Sequence, residues 1–507
     1  MTYDCTIPSQ PGELWWGGCI DDGHRMPFAA GFSRRLLDQR GNQVQPLLVS
    51  DRGRWIWSEA PFTFRIADDA IVVSDTWAPI QVGGPGGGLR AACRDAATRF
   101  FPPQGRIPHE LLFTRPQYNT WIELQYRQNQ SDILAYAERI VAEGYPPGAL
   151  MIDDTWQYDY GHWRFPADRF PDPRAMVDRL HALGFLVMLW VVPQISADGR
   201  LFLDLRERGL LLRGADGHPA IRPWWNGHSA LLDLGNPAAA DWLRGVLGGL
   251  QRDFGVDGFK FDAGDFGDYR ADDRAHQPGH PARQSELWAA FAEEWPLNEL
   301  RACWKMGNRA LAMRLRDKNH TWDTDGLAGC IPNLLAQGLI GLPFGCPDMV
   351  GGGEYLHFNG SAASLDGELF VRHAQLAALL PMQQFSAAPW RVLDARHAAL
   401  CRDAARLHAA EGERLLGLAR HAATTGEPMV RPLAWIWNDP RAAVVRDQFL
   451  LGDDLLVAPV VIKGARSRDV LLPPGRWRDD LGHEHSGERV VVVNAPLERL
   501  PRFERVG

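Results

Sequence analysis

The seven cysteines of the chain show no pattern typical of disulfides or of a structural metal site. They are odd in number, widely scattered and never arranged as Cys-x-x-Cys. Small secreted scaffolds need paired cysteines, and zinc sites need clustered ones. Free thiols in a reducing compartment are the simpler interpretation, so we expect a cytoplasmic protein.

Long apolar runs and basic clusters are also missing. No run approaches the ~20 apolar residues of a membrane-spanning helix, and no basic segment followed by an apolar one marks a signal peptide. Lys and Arg total 54 against 62 Asp and Glu, which gives a net charge of −8. Nucleic-acid binding needs concentrated positive charge to neutralise phosphates. We therefore expect neither a membrane nor a nucleic acid as partner, and the sequence leaves homo-oligomerisation open.

Tryptophan, by contrast, is abundant. The chain of 507 residues has 20 tryptophans against nine tyrosines, within an otherwise ordinary composition of 45% apolar and 23% charged residues. Its length indicates two to four domains. Tryptophan rings fill cores, and they also stack on the apolar faces of sugars. The count alone favours the core explanation.

The patterning of apolar residues divides the chain into three regions. Residues 1–114 contain short apolar runs separated by Gly and Pro, which predicts an N-terminal β-sandwich. Residues 115–423 alternate short apolar runs with helical stretches, which is typical of an α/β fold with a (β/α)₈ barrel. Residues 424–507 return to short strands and predict a small C-terminal β-sandwich. A doubly wound sheet is the alternative for the middle region, but no GxGxxG follows its first strand.

Individual elements follow from the same patterns. In the middle region, strands are predicted at residues 119–124, 149–152, 186–192, 342–344 and 381–385. Helices are predicted at residues 131–143, 173–183 and 237–254, with Ser131 as the N-cap of the first. C-terminal strands are predicted at residues 443–445, 455–461, 470–472 and 490–493.

One stretch, residues 256–265, combines an apolar run with carboxylates and glycines. A barrel strand that breaks in this way presents a carboxylate at its C-terminal end, here Asp262. Asp153 and Asp154 follow another predicted strand, and Asp348 follows a third. Because the loops at the C-terminal face of a barrel converge, we expect these carboxylates to share one site. A purely structural capping role for Asp262 fits the stretch equally well.

Several carboxylates together with aromatic side chains suit a polyhydroxylated substrate, namely a small carbohydrate. Carboxylates accept hydrogen bonds from hydroxyl groups, and tryptophan supplies a stacking surface. A divalent cation site is the alternative interpretation of the same carboxylates. Histidine is scarce near these predicted strand ends, which disfavours zinc.

Glycoside hydrolysis needs two carboxyl groups, one on each side of the scissile bond. Asp262 is the candidate nucleophile. Asp317, Asp323 and Asp325 are candidates for the acid/base, and their spacing does not choose among them. Asp325 also fits the N-cap of a helix formed by the apolar run 331–340.

Several motifs in order carry a family resemblance. They lie at residues 152–156, 189–193, 224–227, 259–264, 316–318, 342–352, 431–433, 447–453 and 456–460. With these motifs the chain resembles glycoside hydrolase family 31, the retaining α-glycosidases. Within that family it is most similar to the myogenesis-regulating glycosidase branch, whose specificity is for α-galactosides. The resemblance runs from about Trp15 to about Trp477 and covers most of the chain.

The resemblance implies both a fold and roles for residues. The implied fold is an N-terminal β-sandwich, a (β/α)₈ barrel and a C-terminal β-sandwich. Asp262 matches the nucleophile and Asp317 the acid/base. The substrate-binding candidates, from the resemblance and from the strand-end carboxylates together, are Asp153, Asp154, Trp190, Lys260, Arg301, Asp348 and Trp390. The implied mechanism requires neither a metal nor a cofactor.

Four departures from the family pattern bear on specificity. Lys260 stands where most members have Trp, Asp265 where they have Glu, and Arg316 where they have Gly. Residues 386–388 stand where many members have a His. These changes place the chain off the main α-glucosidase branch and put glucose specificity in doubt, and the resemblance to the α-galactoside-specific branch implies an α-galactosidase. The alternatives are an α-glucosidase, another specificity such as α-xyloside or sulfoquinovoside, a transglycosylase or lyase on the same scaffold, and a non-catalytic carbohydrate-binding protein.

The two catalytic carboxyls need different protonation states. We expect Arg301 and Lys260 to keep Asp262 ionised. We expect an apolar surrounding that includes Trp322 to keep Asp317 protonated.

Overall fold

The computed structural model describes residues 3–38, 42–360 and 365–506. Its centre is a barrel of eight parallel strands, paired with their neighbours in the order β7-β6-β5-β4-β3-β2-β1-β8. The strands are β1 (Gln117–Asn119), β2 (Ala149–Ile152), β3 (Leu186–Val191), β4 (Gly258–Phe261), β5 (Asn298–Leu300), β6 (Met313–Arg314), β7 (Gly345–Cys346) and β8 (Gln384–Phe385). The amide N–H of Val350 donates to the carbonyl oxygen of Gln384 at 2.7 Å and nearly closes the ring between β7 and β8. The predicted α/β barrel is confirmed.

Helices surround the barrel. They are α1 (Gln130–Ala142), α2 (Pro173–Ala182), α3 (Pro237–Phe254), α4 (Arg283–Ala292), α5 (Leu327–Leu339), α6 (Gly367–Ala378) and α7 (Ala395–Ala410), followed by a helix at Gly412–Thr425. Asn129, Asp172 and Asn236 cap α1, α2 and α3, because each side chain accepts a hydrogen bond from a backbone N–H of the first turn. Residues 301–312, all described, connect β5 to β6 without a helix.

Shorter helices lie in the loops of the barrel and in the two flanking regions. Short α-helices lie at Leu111–Thr114, Trp121–Leu124, Phe202–Glu207, Pro389–Val392 and Pro440–Ala443, and a longer one lies at Leu89–Phe100. Short 3₁₀ helices lie at Ile20–Arg25, Phe266–Asp268, Tyr355–Phe358 and Leu433–Trp435. The loop after β3 carries a three-stranded antiparallel sheet of Gln194–Ser196, Gly227–Leu231 and Arg222–Trp224.

Two sheets form the N-terminal region. The first contains Cys5–Pro8, Ala70–Ser74, Thr63–Ile66 and Ser33–Arg35, and the second contains Trp15–Cys19, Gln43–Ser50, Trp55–Trp57 and Gln81–Gly83. The barrel adds a strand to the second sheet, since Cys303–Trp304, in the β5–β6 connection, pairs parallel with the strand Gln43–Ser50. The second N-terminal sheet and the β5–β6 connection of the barrel are therefore joined through backbone hydrogen bonds.

The C-terminal region is also built of sheets. One contains Val430–Arg431, Phe449–Leu451, Leu455–Val457, Arg502–Arg505, Arg476–Asp479 and Glu484–Ser486, and the other pairs Ser467–Leu472 with Arg489–Asn494. The strand predicted at residues 443–445 is wrong. Asp439 and Pro440 start a helical turn there, because the Asp439 side chain caps it and proline fits the first helical position. The domain limits at residues 114/115 and 423/424 stay predictions.

Three predictions inside the barrel are also corrected. Residues 119–124 are not one strand: β1 ends at Asn119, whose side-chain oxygen accepts from the N–H of Trp121 at 2.7 Å and turns the chain into Trp121–Leu124. The seventh strand lies at Gly345–Cys346 rather than at residues 342–344. Asn129, not Ser131, caps α1, since its side chain accepts from Asp132 N at 3.0 Å.

Two further findings concern thiols and membranes. All seven cysteines are free thiols, and six of them are buried. In the part of the chain that the structure describes, no helix combines the length and apolarity needed to cross a bilayer.

Candidate active site

A cavity of about 530 Å³ opens at the C-terminal ends of the barrel strands. Its size is typical of a small-molecule site. Seven of the nine residues predicted for the site line it: Asp153, Asp154, Trp190, Lys260, Asp262, Arg301 and Asp317. The structure therefore brings together both candidate catalytic carboxyls and most of the candidate binding residues.

Asp262 stands directly after β4. Its N–H still donates to the carbonyl of Val191 at 2.9 Å, and the next residue, Ala263, has φ 51°, which turns the chain off the strand. Side chains alternate along β4. Phe259 and Phe261 pack against Trp295, with ring centroids 5.6 and 5.5 Å away. Lys260 and Asp262 consequently face the cavity together.

Positive groups surround the Asp262 carboxylate. Arg301 Nε donates to Oδ1 at 2.7 Å and Trp190 Nε1 to Oδ2 at 2.9 Å, and Lys260 Nζ lies 3.9 Å from Oδ2. Burial raises the pKa of this carboxyl, but the charges of Arg301, Lys260 and Arg314 outweigh burial and hold the pKa well below its ordinary value. Asp262 is therefore ionised, as expected from the sequence.

Lys260 is a buried cation at the base of the cavity. Its side chain is 3% exposed, and Nζ donates to Asp153 Oδ2 at 2.7 Å. Burial lowers its pKa, but Asp153 and Asp262 raise it further, so the net shift is upward and the ammonium stays charged. Lys260 thus connects the carboxylate after β2 with the one after β4.

Asp154 differs from its neighbour Asp153. Its carboxylate accepts hydrogen bonds from Asn226 Nδ2 at 2.7 Å and from the Tyr160 hydroxyl at 3.1 Å. Burial, together with the charge of Asp153, raises the pKa of Asp154 to about 7. This raised pKa lets Asp154 change its charge near neutral pH.

Arg301 links the candidate nucleophile to the rim. Its Nη2 donates to Asp265 Oδ2 at 3.0 Å while Nε holds Asp262. Its guanidinium carbon lies 5.4 Å from the centroid of the Trp225 ring, within reach of a cation–π contact. Trp225 itself is 51% exposed.

The surroundings of Asp317 differ from the expectation. Its side chain is 40% exposed, and Oδ1 accepts from Arg314 Nη1 at 2.7 Å. The predicted apolar surrounding of Asp317 is wrong, since its carboxylate contacts the charged Arg314. The indole N–H of Trp322 donates to Asp366 Oδ2 at 2.9 Å. Arg314 is thus the charged side chain that pairs with the Asp317 carboxylate.

Of the three acid/base candidates, Asp317 is the one that lines the cavity. Asp323 Oδ1 accepts from the N–H groups of Asp325 and Gly326 and so stabilises a local turn. Asp325 pairs with Arg316 at 3.0 Å instead of capping α5, whose N-cap is Gly326.

Two predicted binding residues lie outside the cavity lining. Asp348 is 0% exposed; its Oδ1 accepts from Arg314 Nη1 at 2.6 Å and its Oδ2 from Lys318 N at 2.7 Å. Trp390 packs sideways against Tyr145, with ring centroids 5.4 Å apart. Trp390 stands in the short helix Pro389–Val392, and its place near the pocket stays a prediction.

The structure adds lining residues that the sequence predictions missed. Trp225 lies in the turn between the strands Arg222–Trp224 and Gly227–Leu231 of the sheet inserted after β3. Tyr126 and Tyr355 come from the loops after β1 and β7, and their ring centroids lie 6.0 Å apart. Arg314 also lines the cavity. In the sequence, Arg314 stands three residues before the candidate carboxylate Asp317. Its strand, Met313–Arg314, is too short to show strand periodicity, so the sequence did not predict that this side chain faces the site.

Each cation that lines the cavity is paired with carboxylates. The pairs are Lys260 with Asp153 and Asp262, Arg301 with Asp262 and Asp265, Arg314 with Asp317 and Asp348, and Arg316 with Asp21 and Asp325. The site thus offers neutralised cations, hydrogen-bond acceptors and aromatic faces. Within the described ranges, no group of three or more His, Cys, Asp or Glu side chains is arranged to hold a metal ion.

Comparison with protein families gives two matches. Residues 116–409 match the model of the glycosyl hydrolases family 31 TIM-barrel domain, and residues 426–507 match the glycosyl hydrolase family 31 C-terminal domain. Together these matches account for most of the chain.

Individual relatives agree with the family models. The chain is 36% identical over 411 residues to the myogenesis-regulating glycosidase of Mus musculus, which covers 79% of this chain and 57% of that protein. It is 28% identical over 382 residues to the 1,3-α-isomaltosidase of Kribbella flavida, covering 67% of this chain and 50% of that protein. The chain thus spans about half the length of these two curated relatives.

Among solved structures, a family 31 dextranase of Flavobacterium johnsoniae complexed with glucose superposes with a TM-score of 0.86. The superposition covers 99% of this chain and 66% of the dextranase, at 22% sequence identity. At that identity, the likeness establishes the fold.

Proposed function

Because the chain belongs to glycoside hydrolase family 31, we propose that it is a retaining, exo-acting α-glycosidase with α-galactosides as its favoured substrates. One observation carries the proposal. An ionised Asp262, held by Arg301 and Trp190, lines the same cavity as the half-exposed Asp317. A fixed carboxylate and an accessible carboxyl are the two groups that retaining hydrolysis uses.

The proposed first half-reaction forms a covalent intermediate. Asp317, protonated, donates its proton to the leaving glycosidic oxygen, while the Asp262 carboxylate attacks the anomeric carbon. The bond from the anomeric carbon to the leaving oxygen breaks as a β-linked glycosyl ester of Asp262 forms. The two hydrogen bonds from Arg301 and Trp190 fix the carboxylate for this attack.

The second half-reaction restores the enzyme. Asp317, now a carboxylate, removes a proton from water, and the resulting hydroxide attacks the anomeric carbon. Asp262 leaves as a carboxylate, and the sugar departs with its original α configuration. The low pKa of Asp262 suits it as a leaving group in this step.

The charge of the cavity favours a neutral sugar. All four lining cations already pair with carboxylates, and the lining carboxylates outnumber the cations. A sulfonate or carboxylate on the sugar would need a cation of its own to offset its desolvation. This supports α-galactoside, α-glucoside or α-xyloside over sulfoquinovoside, and the resemblance to the α-galactoside-specific branch favours galactose among the three.

A panel of aryl α-glycosides tests the specificity. We expect kcat/KM to be highest for the α-galactoside and lowest for the α-sulfoquinovoside, with the α-glucoside and α-xyloside between them. NMR should show the α-anomer as the first sugar released. A β-anomer as first product would contradict the retaining mechanism, and no turnover of any member would leave a carbohydrate-binding protein. Product analysis with an added acceptor sugar separates hydrolysis from transglycosylation.

Azide rescue tests the two catalytic assignments separately. Asp262→Ala should reduce activity at least about a thousandfold, and azide should restore turnover of an activated aryl α-galactoside with a β-galactosyl azide as product. Asp317→Ala with azide should give the α-azide, because the ester on Asp262 still forms. Asp323→Ala is the matched control, since this carboxylate stabilises a turn outside the cavity. Loss of activity in the control without loss in Asp317→Ala would refute the assignment.

We also propose a cytoplasmic location. The seven free thiols support a reducing compartment. Cell fractionation with a tagged chain tests this, and recovery in the medium or the periplasm would contradict it.

A further inference from the structure

Three aromatic side chains form a contiguous group in the cavity lining, here called the aromatic cluster. Trp121 and Tyr126 come from the loop after β1, and Tyr355 comes from the loop after β7. The ring centroid of Trp121 lies 5.4 Å from that of Tyr126 and 5.3 Å from that of Tyr355, and the rings meet edge to face. Edge-to-face packing is a favourable arrangement of aromatic rings, so each ring supports the position of the other two.

Hydrogen bonds hold the two loops that carry the cluster. The N–H of Ile122 donates to Ser386 Oγ at 2.7 Å and anchors the helical turn that begins at Trp121. Gln125 Nε2 donates to Asn359 Oδ1 at 2.8 Å and so connects the loop after β1 with the loop after β7. A ligand that binds a surface already fixed in this way loses less free energy to ordering of side chains and loops.

The loop after β7 places Tyr355 on the side of the cavity where Asp317 stands. The N–H of Glu354 donates to the carbonyl oxygen of Lys318 at 3.1 Å. A Cβ at Gly353 would lie only 2.9 Å from Asp317 Oδ1, so the loop and the acid/base are in close contact. The acid/base of a retaining glycosidase stands beside the leaving oxygen, and the aglycone departs on that side. The aromatic cluster thus adjoins the space that the aglycone would occupy.

The polar groups beside the cluster suit a neutral sugar. The Glu354 carboxylate and the hydroxyl groups of Tyr126 and Tyr355 belong to the cavity lining and can exchange hydrogen bonds with sugar hydroxyls. The aromatic rings offer surface to the apolar C–H faces of a sugar. Arg316, which also lines the cavity, already pairs with two carboxylates, so a negatively charged aglycone would lack a cation of its own.

We propose that the aromatic cluster and Glu354 form an aglycone site for a neutral sugar unit, so that the substrate is a disaccharide or longer oligosaccharide rather than an alkyl or lipid glycoside. This inference deepens the proposed function and rests on it. The sugar that is cleaved off lies beside Asp262, and the sugar that leaves lies beside Asp317. Binding of the leaving sugar then contributes to the rate at which the bond between the two sugars is cleaved.

Substrates with and without an aglycone separate the two parts of the cavity. In α-galactosyl fluoride, the leaving group is fluoride, so this substrate makes no contact through an aglycone. We expect Tyr355→Ala and Tyr126→Ala each to lower kcat/KM for an α-galactosyl disaccharide about tenfold, and to change that for the fluoride less than about twofold. Tyr355→Phe keeps the ring and should retain most of the activity on both substrates. Tyr158→Ala is the matched control, since Tyr158 is 53% exposed and lies outside the cavity lining.

A comparison of aglycones in the wild type tests the chemical class of the ligand. We expect kcat/KM for the best of a set of α-galactosyl disaccharides with different linkages to exceed that for methyl α-galactoside at least about tenfold. Octyl α-galactoside should be no better than the methyl glycoside. A preference for the octyl glycoside over every disaccharide would overturn the assignment, because it would show that the cluster binds an apolar chain.

Failure of this inference can be told from failure of the proposed function. If another sugar proves to be the one cleaved, its fluoride and disaccharides replace the galactosyl compounds. A wild type inactive on every α-glycoside and glycosyl fluoride would overturn the proposed function and the inference with it. An active wild type in which both alanine variants lose activity equally on disaccharide and fluoride, or on neither, would overturn the inference alone.

The pH profile separates a binding role from an effect on the acid/base. If the tyrosines bind the aglycone, the pH profile of kcat/KM for the disaccharide should keep its shape in both alanine variants. A shifted profile would overturn the inference, since the substitutions would then act through Asp317. If near-UV circular dichroism shows that Tyr355→Ala does not fold, Tyr126→Ala decides by itself, because Tyr126 is 45% exposed.

Discussion

Lys260 shows how one side chain can organise a buried site. Its ammonium lies 2.7 Å from Asp153 and 3.9 Å from Asp262, while being 3% exposed. A buried charge is tolerated only when it is paired, because water no longer stabilises it. Lys260 thereby fixes Asp153 and contributes to the ionisation of Asp262 from one position on β4.

Removing this cation should therefore destabilise the protein. We expect Lys260→Met to lower the free energy of unfolding by about 3–5 kcal/mol, because it leaves Asp153 as a buried carboxylate without its partner. The double variant Asp153→Asn with Lys260→Met should recover a large part of that loss. Urea unfolding of the single and double variants measures both values. Additive losses would show that the two side chains are not energetically coupled.

Asp154 makes stability depend on pH in a defined direction. Its folded pKa is about 7, above the value of about 3.9 of a free aspartate, so the folded state binds more protons between these values. Stability contributed by this group is present below about pH 4 and is lost as pH rises to about 7. Asp154→Asn removes the titration. The Tm of Asp154→Asn minus the Tm of the wild type, measured by calorimetry, should increase from pH 5 to pH 8. A Tm difference that stays constant over this range would contradict the raised pKa of Asp154.

At the scale of elements, the sheet inserted after β3 and the loops after β1 and β7 form the rim. Trp225 comes from the first, and Tyr126 and Tyr355 from the others. Trp225 is half exposed while its ring stacks near Arg301. An exposed indole beside the cavity mouth suits stacking on the aglycone or on the outer face of the sugar.

Trp225→Ala should consequently weaken substrate binding without unfolding the protein. We expect KM for a disaccharide substrate to rise about tenfold, which corresponds to the stacking contribution of one ring, with Tm nearly unchanged. Trp77→Ala is the matched control, because Trp77 is similarly exposed at 44% and lies outside the cavity lining. Steady-state kinetics give KM for both variants and so test whether the effect is specific to Trp225. Equal effects would indicate that surface tryptophans act nonspecifically.

The strands were the most predictable elements. Apolar runs located β2, β3 and β4, and the break after β4 located Asp262, since buried parallel strands have little sequence freedom. The end of β1 could not be predicted in this way. The Asn119 side chain accepts a hydrogen bond from Trp121 N and starts a helical turn, although the following residues are apolar.

Loop geometry accounts for most of the site that could not be predicted. The spacing of Asp317, Asp323 and Asp325 does not distinguish them. The family resemblance selected Asp317, and the fold then places Asp317 in the cavity lining and Asp323 in a turn. The pairing of Arg314 with Asp348 depends on β6 and β7 being neighbours. Contacts between residues far apart in sequence leave no local pattern from which they can be read.

For the molecule as a whole, the N-terminal sheet supports the site arginines. Gln43 is fully buried, and its Nε2 donates to the carbonyl oxygens of Arg301 at 2.9 Å and Arg314 at 2.8 Å. Gln337 donates in turn to Gln43 Oε1 at 2.5 Å. One amide from the N-terminal region therefore fixes the backbone under both arginines.

Gln43→Met should affect stability and catalysis together. It leaves two buried carbonyls without this donor, which costs about 1–3 kcal/mol for each unsatisfied group, and we expect kcat to fall as Arg301 and Arg314 lose their support. Gln45→Met is the matched control on the same strand, since the Gln45 amide is buried and makes no hydrogen bond within the described residues. We expect that control to be neutral or stabilising. Urea unfolding and kcat measured on both proteins test the difference, and similar losses in the two would contradict it.

The strand Cys303–Trp304, which extends the second N-terminal sheet, also limits how the domains of this protein can be exchanged with those of a relative. Cys303–Trp304 lies between β5 and β6 and pairs with the strand Gln43–Ser50. If the first 114 residues were exchanged for those of a relative, the relative's edge strand would have to pair with the native Cys303–Trp304. A viable chimaera must carry the β5–β6 connection together with its sheet. The transferable module is therefore discontinuous in the gene, although each of the three regions looks separable along the chain.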